Sequence, residues 1–253
     1  MSDQIACFTF FRYNGKNKKW GLSQMFKSRP ILDHWSNLKF YKLVGLGGGK
    51  GYSLRSKFDS YGIFTVWDNS KYADHFFNSQ FFKEYLDKSI EHYTIIMKPI
   101  SSRGSWSGFK GWKLTKLDPN NKLICVLTRA TIKVRFIYPF FNMITKVLKD
   151  HDNFPGLLFS KGFSEIPFRE QATFSVWENV DQMKKFAYSS FHAMAIKITR
   201  RKKGFKEDMY TRFQPVATIG SWYDKNPLDN KIRQLNTNQI TDNILVQGMA
   251  MVS

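Results

Sequence analysis

FTVWDN (residues 64–69) returns in the second half of the chain as FSVWEN (residues 174–179). A second pair follows in the same order, because PISSRGSW (99–106) has its counterpart in PVATIGSW (215–222). Blocks that recur in one order at a nearly constant spacing indicate an internal duplication. We therefore interpret the chain as two copies of one unit, joined near the turn-prone residues 118–121, DPNN.

Each copy alternates between the periodicities of strands and helices. The apolar runs that open the copies, IACFTFF (5–11) and LICVLTR (123–129), each predict a first strand, and Cys7 and Cys125 within them are spaced like the other pairs. Helical spacing of apolar residues follows in the second copy. The predicted elements of that copy are strands at 123–131, 171–177 and 209–219, and helices at 139–149 and from Asp181, its predicted N-cap.

This alternation predicts the fold class. A strand–helix–strand–strand–helix–strand unit is the ferredoxin-like pattern. Two such units in tandem can lay their sheets face to face or close them into one barrel, with an apolar space between sheet and helices that would admit a cofactor. We expect an α+β fold with repeats at 1–118 and 119–225, and a polar C-terminal tail at 226–253 that lies loosely outside them.

The composition excludes several classes of protein. With 42% hydrophobic and 23% charged residues, the chain resembles a folded domain and not a disordered segment. Two cysteines cannot form a disulfide framework, and no Cys/His group has zinc-finger spacing. The N-terminal sequence lacks the pattern of a signal peptide, and no run approaches the roughly 18 apolar residues of a spanning helix. These features predict a reduced, cytoplasmic protein.

The formal net charge of +19 predicts an anionic partner. The basic residues are scattered apart from small clusters such as GKNKKW (15–20) and RRKKGFK (200–206), and no finger, RNA-recognition or helix-turn-helix module is recognisable. The pattern therefore argues against nucleic acid and favours peripheral contact with the anionic inner face of a membrane. For RRKKGFK alone, the simpler interpretation is a solvated helix end.

Among the five histidines, His192 is the candidate metal ligand. In one continuous helix from Asp181, His192 would lie opposite the apolar stripe and face solvent. If residues 188–190, YSS, interrupt that helix, a new helix would place His192 and the small Ala195 on one face, with room for a flat ring. A neutral histidine facing an apolar pocket is the usual proximal ligand of haem iron. Both interpretations stay open at this point.

Two further features could belong to a pocket. RGSWSGFKGW, which starts at Arg103, predicts either a surface loop packed by its tryptophans or a binding segment that uses Arg103 and Trp106. Arg129 lies within an apolar strand and needs an anionic partner. Glu165, Glu170 or a propionate could supply it.

Other sequence patterns are less specific. The glycine run GLGGGKG (45–51) lacks the order of a dinucleotide-binding loop and predicts a flexible loop. No Ser/His/Asp or Cys/His arrangement has a recognisable motif around it, so hydrolysis by a nucleophilic side chain is not supported.

Six segments resemble the spheroidene monooxygenase family, also called the acyclic carotenoid 2-ketolases. They follow in the expected order across most of residues 5–225, several are uncommon strings, and the tail beyond about 225 is not covered. The segments are TFFRYNGKNKKWGLSQMFKSRPIL (9–32), FYKLVGLGGGKGY (40–52), PISSRGSWSGFKGW (99–112), LTRATIK (127–133), QATFSVW (171–177) and HAMAIKITRRKKGFKEDMYTRF (192–213).

The resemblance implies a dimeric α+β barrel fold and a haem-dependent monooxygenase. Such an enzyme would use O₂ and electrons from a ferredoxin-type donor to oxidise a carbon of a long polyene, with two hydroxylations and loss of water giving a ketone. It makes His192 the axial ligand of the haem iron, since His192 opens the matching HAMAIK block. Arg129 and Arg103 become candidates for propionate or pocket contacts, and Trp106 a candidate for the pocket lining.

Two alternatives follow from the same residues. The chain could be another haem enzyme of the dimeric α+β barrel type that acts on a smaller substrate. It could also be a haem- or lipid-binding protein without turnover. An absorption spectrum and a turnover assay separate these possibilities.

Overall fold

A computed structural model describes residues 3–47, 58–151, 154–189, 194, 197–199, 201–228 and 230–232. The strands are β1 (Ile5–Arg12), β2 (Leu38–Leu46), β3 (Ser60–Trp67), β4 (Glu91–Gly104), β5 (Ile124–Ile132), β6 (Leu157–Ser164), β7 (Glu170–Trp177) and β8 (Phe205–Gly220). The described helices are α1 (Asn17–Lys27), α2 (Arg29–Asp33), α3 (Ser70–Phe77), α4 (Gln80–Lys88), α5 (Ile137–His151) and α6 (Val180–Ala187), with a 3₁₀ turn at Val134–Phe136.

The eight strands close into one antiparallel barrel in the order β1–β3–β2–β6–β7–β5–β8–β4. Within each half the order of strands is fourth, first, third, second, which is that of a ferredoxin-like sheet. The two sheets meet along β4 and β8, where the pairing is long, and along β2 and β6, where it is short. The predicted α+β fold of the dimeric α+β barrel type is confirmed.

The duplicated blocks occupy equivalent places in the two halves. Trp67 and Trp177 each end a strand, and each indole donates a hydrogen bond of 2.9 Å to the hydroxyl two residues earlier. The asparagine two residues after each tryptophan, Asn69 or Asn179, caps the next helix, so the predicted cap of α6, Asp181, was wrong. An asparagine can turn its side-chain oxygen to the free backbone N–H groups of the first turn.

The strand register corrects the comparison of the first strands. Ile5 pairs with Trp67 and Ile124 pairs with Trp177, so these two isoleucines are equivalent. Cys7 and Cys125 are therefore one residue out of step. Because side chains alternate across a strand, Cys7 packs under the helices and Cys125 packs inside the barrel.

The barrel interior is a packed aromatic core. Phe8, Phe10, Phe64 and Phe174 are fully buried there, with T-shaped or tilted ring contacts between them. Since these rings fill the interior, the space for a cofactor that the sequence predicts is expected outside it, between the sheet and its helices.

The start of the C-terminal segment belongs to this core. Leu228 and Ile232 are buried in the same cluster as Trp222, and the Asn226 side chain accepts a hydrogen bond from the Tyr93 hydroxyl. The expectation of a loose tail from residue 226 was therefore wrong for its first residues. The apolar residues of this segment are too few and too widely spaced for the sequence alone to predict that Leu228 and Ile232 pack on the core. Among the described residues, no helix combines the length and apolar character needed to cross a membrane.

Candidate cofactor cleft on the second half

A row of small side chains crosses the outer face of the second sheet. Thr128 on β5 lies between Tyr210 on β8 and Thr173 on β7, and the row ends at Gly162 on β6 and Arg103 on β4. Thr128 is exposed although it stands in the middle of a central strand. An exposed position there means that the described helices of this half leave Thr128, in the middle of the sheet, uncovered.

The first half shows what a covered face looks like. The residue equivalent to Thr128 is Thr9, which is buried and shares a 2.9 Å hydrogen bond with Thr94. Large side chains surround Thr9, where the second half has small or polar ones. In order, Phe11, Leu43, Tyr61 and Ile63 correspond to Ala130, Gly162, Gln171 and Thr173.

The large side chains of the first half pack tightly beneath α3 and α4. Phe11 and Tyr61 share a buried cluster with Phe76, Phe82 and Tyr85 from those helices. The counterparts of Phe11, Leu43 and Ile63 are much smaller, so less side-chain volume lies on the outer face of the second sheet than on that of the first. Among the described residues, this exchange of large for small side chains therefore leaves a cleft over Thr128 in the second half, whereas the equivalent Thr9 is covered in the first.

Two helices bound this cleft, which we call the second-half cleft, with Thr128, Gly162 and Thr173 as its floor. At one end, Met183 of α6 packs on Ile124 and Trp177, and Phe186 stacks on the Trp177 ring at 5.3 Å. At the other end, Phe140 of α5 contacts Phe205, with the ring centroids 5.9 Å apart. The floor lies between these contacts.

Polar groups line one side of the cleft. The exposed Arg103 guanidinium lies 5.7 Å from the centroid of the Tyr210 ring, and the Tyr210 hydroxyl points to the Met183 sulfur at 3.5 Å. Burial raises the pKa of Tyr210, against the opposing charges of Arg212 and Arg103. Tyr210 therefore stays a protonated donor at neutral pH. No carboxylate among the described residues forms an ion pair with Arg103, so its guanidinium can face an anion at this rim.

One buried hydroxyl on the same face lacks a protein partner. The Oγ atom of Ser160, beside Ser175 on the outer face, has no hydrogen bond to any described residue. A buried unpaired polar atom is costly and is expected to meet a partner outside the described protein atoms. The small floor, the cationic rim and this hydroxyl together fit a flat apolar group that carries anionic arms, as a haem does.

Histidines that are described lie away from the cleft. His34 and His75 lie on α2's C-terminal side and on α3, and His92 pairs with Phe11 on the first sheet. The histidines of the second half are His151 and His192. The side chain of His151 and all of His192 lie outside the described residues.

The segment before His192 answers one sequence question. Helix α6 ends at Ala187, so of the two interpretations the continuous helix from Asp181 is excluded at residues 188–189. Residues 194, 197–199 and 201 are helical again. Both facts agree with a second helix in this region, and the direction of the His192 side chain stays a prediction.

Arg129 and Trp106 lie on the other side of the sheet from the cleft. Thr128 and Ala130 face outward, so Arg129 between them points into the barrel end, where its guanidinium pairs with Glu207. The sequence interpretation had offered Glu165 or Glu170 as the carboxylate partner, and that was wrong. A partner on a strand that is distant in sequence cannot be recognised before the β5–β8 register is known.

Trp106 belongs to the same barrel end. Its indole N–H donates to Glu165, whose other oxygen lies 2.6 Å from Nζ of Lys42. The Arg129 guanidinium carbon lies 5.9 Å from the Trp106 ring centroid. This cluster anchors the RGSWSG segment over the barrel end. Of the predicted cofactor contacts that are described, Arg103 alone lies at the cleft.

Glu207 gives the barrel end an acid-sensitive contribution to stability. Although burial opposes it, the pKa of Glu207 is lowered to about 2 by hydrogen bonds from Gly108 N–H and Ser105 and by the charge of Arg129. A carboxyl whose pKa falls on folding stabilises the fold above its ordinary pKa and loses that contribution as the pH falls toward 2.

We expect Glu207→Gln to lower the free energy of unfolding at neutral pH by about 2 kcal/mol. This value is smaller than the pKa change alone would give, because solvent screens the partly exposed carboxylate. Near pH 2 the difference from the wild type should vanish. Urea unfolding at both pH values measures it. Glu178→Gln, which removes an exposed pair with Lys231, is the control and should change little at either pH. A Glu207→Gln deficit that stays constant down to pH 2 would contradict this assignment.

Two proteins of known name are similar to this chain along most of its length. Spheroidene monooxygenase of Rhodobacter capsulatus is 32% identical over 239 residues, which cover 92% of this chain and 99% of the relative. The chain belongs to the spheroidene monooxygenase family. A spheroidene monooxygenase of Cereibacter sphaeroides is 30% identical and aligns over 89% of this chain and 71% of its own length. No family model matches the chain. As a member of this family, the protein is a monooxygenase.

Solved structures support the fold of this spheroidene monooxygenase family member. A crystal structure of aldoxime dehydratase superposes with a TM-score of 0.57 over 85% of this chain and 83% of that one, at 11% identity. A second aldoxime dehydratase, crystallised with butyraldoxime, gives the same TM-score at 8% identity. At this level of identity the likeness concerns the fold alone.

Proposed function

We propose that the chain is a haem-dependent monooxygenase that oxidises a carbon of a carotenoid or similar long apolar polyene. The observation that carries this proposal is the second-half cleft, where Ala130, Gly162 and Thr173 replace the large residues of the first half. The named substrate of the relatives' family is a carotenoid, and a polyene is apolar enough to be held in a cleft between sheet and helices.

The proposed haem would lie against the floor of the cleft. His192 would hold it by binding the iron, and Arg103 would hold it by pairing with a propionate in a charge-assisted contact. The bound haem would supply the activation of O₂ that the side chains lack. The neutral Tyr210 hydroxyl offers a hydrogen bond at the same rim without adding charge.

The chain's own residues would position the substrate and exclude water. Aromatic and sulfur side chains at the α6 end, Met183 and Phe186, provide an apolar wall against which a polyene can lie. Each hydroxylation consumes one O₂, two electrons and two protons, places one oxygen atom on carbon and releases the other as water. A second hydroxylation at the same carbon gives a geminal diol, and loss of water from it gives the ketone.

Turnover of a detergent-solubilised carotenoid tests the proposal. Protein reconstituted with hemin, supplied with NADPH, a ferredoxin and its reductase, is expected to yield hydroxylated and then keto products under O₂. Incorporation of label from ¹⁸O₂ identifies the oxygen source. Haem binding without any product would support the non-catalytic carrier instead. Turnover of only small substrates would support the smaller-substrate alternative.

A further inference from the structure

We infer that one end of the barrel docks on an anionic lipid bilayer through a surface that we call the basic apolar patch. Its apolar tips are Val134, Tyr138, Ile166 and Phe168, and its cations are Arg135, Arg169, Arg201, Lys202 and Lys203. This inference deepens the proposed function, because it names the surface through which a lipid-dissolved substrate would be reached.

The exposure of the apolar tips is the first support. Val134 is 72% exposed, Tyr138 is 77% exposed and Phe168 is 66% exposed. Single exposed apolar residues are ordinary, whereas a group of them on neighbouring loops marks an interaction surface. Phe168 also adopts φ 64°, a left-handed conformation that glycine or asparagine would adopt at lower cost. A bulky aromatic at such an exposed turn is costly for the fold and gains little burial there.

Backbone contacts bring these loops together. The N–H of Ile132 donates to the carbonyl of Arg169 at 2.8 Å, and that of Lys133 donates to the carbonyl of Gly204 at 2.9 Å. The Phe168 ring contacts Phe141 of α5, with centroids 5.8 Å apart. The three loops that carry the patch therefore lie side by side at the end of β5.

The charge of these loops selects the partner. Residues 133–138, 166–169 and 201–203 contain six basic residues and no acidic one. Of the flanking carboxylates, Glu165 and Glu207 make ion pairs with Lys42 and Arg129 in the barrel-end cluster, and Glu170, beside Arg169, is half-buried with its pKa raised by burial and by the charge of Glu165. Basic residues attract an anionic bilayer and exposed apolar side chains insert into its interface, so a bilayer accounts for both the charge and the apolar tips of the patch. An acidic protein would use the charges and leave the tips in water.

The patch lies close to the second-half cleft. Ile132, at the end of β5, is four residues beyond Thr128, which is about 13 Å along an extended strand. A bilayer bound at the patch would place its hydrocarbon near the mouth of the cleft. A polyene could then pass between the two without crossing water.

Vesicle co-sedimentation tests the inference with the full chain, in the absence of haem and substrate. Vesicles of phosphatidylcholine with phosphatidylglycerol should bind the protein, and vesicles of phosphatidylcholine alone should bind it weakly. Val134→Ser with Phe168→Asn should lower the partition coefficient about tenfold or more. Lys202→Gln with Lys203→Asn should lower it about thirtyfold at low salt. Asparagine is chosen at residues 168 and 203 because Phe168 and Lys203 both have a left-handed backbone, which asparagine tolerates.

Phe26→Ser is the matched control, because Phe26 is 70% exposed on α1 and lies outside the patch. It should leave vesicle binding unchanged, and thermal unfolding checks that every variant is folded. The inference is overturned if the wild type ignores anionic vesicles or if Phe26→Ser weakens binding as much as the patch variants. It is also overturned if Val134→Ser with Phe168→Asn binds anionic vesicles as the wild type does, since the apolar tips then do not enter the bilayer. Turnover of detergent-solubilised carotenoid is unaffected by these outcomes, so the proposed function stands or fails separately.

Discussion

Thr128→Trp is expected to weaken haem binding by about a hundredfold or more and to leave the fold intact. Thr128 is exposed at the centre of the second-half cleft, so an indole there would occupy the floor on which the flat ring has to lie. A hemin titration followed by absorbance measures the binding. Urea unfolding of the protein without hemin should give nearly the wild-type free energy.

Two controls separate a blocked cleft from a damaged fold. Thr128→Val keeps the size of the side chain and should bind hemin like the wild type. Thr9→Trp places the same indole at the equivalent, buried position of the first half, and it should cost several kcal/mol of stability because that face is filled. Normal hemin binding by Thr128→Trp would show that the cofactor does not occupy this cleft.

His192→Ala is expected to remove the Soret band of the haem complex or to shift it to that of hemin without an imidazole ligand. Loss of an axial ligand should weaken binding by more than the roughly 10- to 100-fold that loss of a supporting partner costs. Absorption spectra of ferric, ferrous and CO-treated samples report the ligand directly. The measurement does not depend on catalytic activity.

His151→Ala is the matched control, because His151 is the other histidine of the second half. It should keep the wild-type spectrum, and free imidazole should restore part of the spectrum of His192→Ala. If His151→Ala loses the band and His192→Ala keeps it, the ligand assignment moves to α5. In that case the cleft itself remains the site.

The duplication is what made the fold predictable from the sequence. FTVWDN and FSVWEN each end a strand and cap a helix, and a local pattern of that kind needs no knowledge of the tertiary structure. An alignment of the two copies could also have predicted the cleft. Aligning Phe11 with Ala130 and Leu43 with Gly162 would have shown which half is emptied. Because Cys7 and Cys125 were matched instead, the copies were one residue out of step in their first strands.

Features that depend on distant pairing could not be predicted. The partner of Arg129 is Glu207, which the β5–β8 register brings opposite, and the sequence offered two nearer carboxylates with equal reason. The burial of Leu228 likewise depends on the open end of the barrel, which exists only after the strands close. Arg103, Arg129 and Trp106 were grouped as pocket residues, although strand alternation places Arg103 on the outer side of the sheet and Arg129 on the inner side, where Trp106 packs.

A hemin titration of the purified wild-type chain tests the central claim most directly. If the emptied face of the second half holds haem, the titration should saturate at one haem per chain, with a Soret band and pyridine haemochrome spectrum that differ from those of free hemin. A protein that stays colourless after reconstitution, or that only adsorbs hemin without saturation, would contradict the claim.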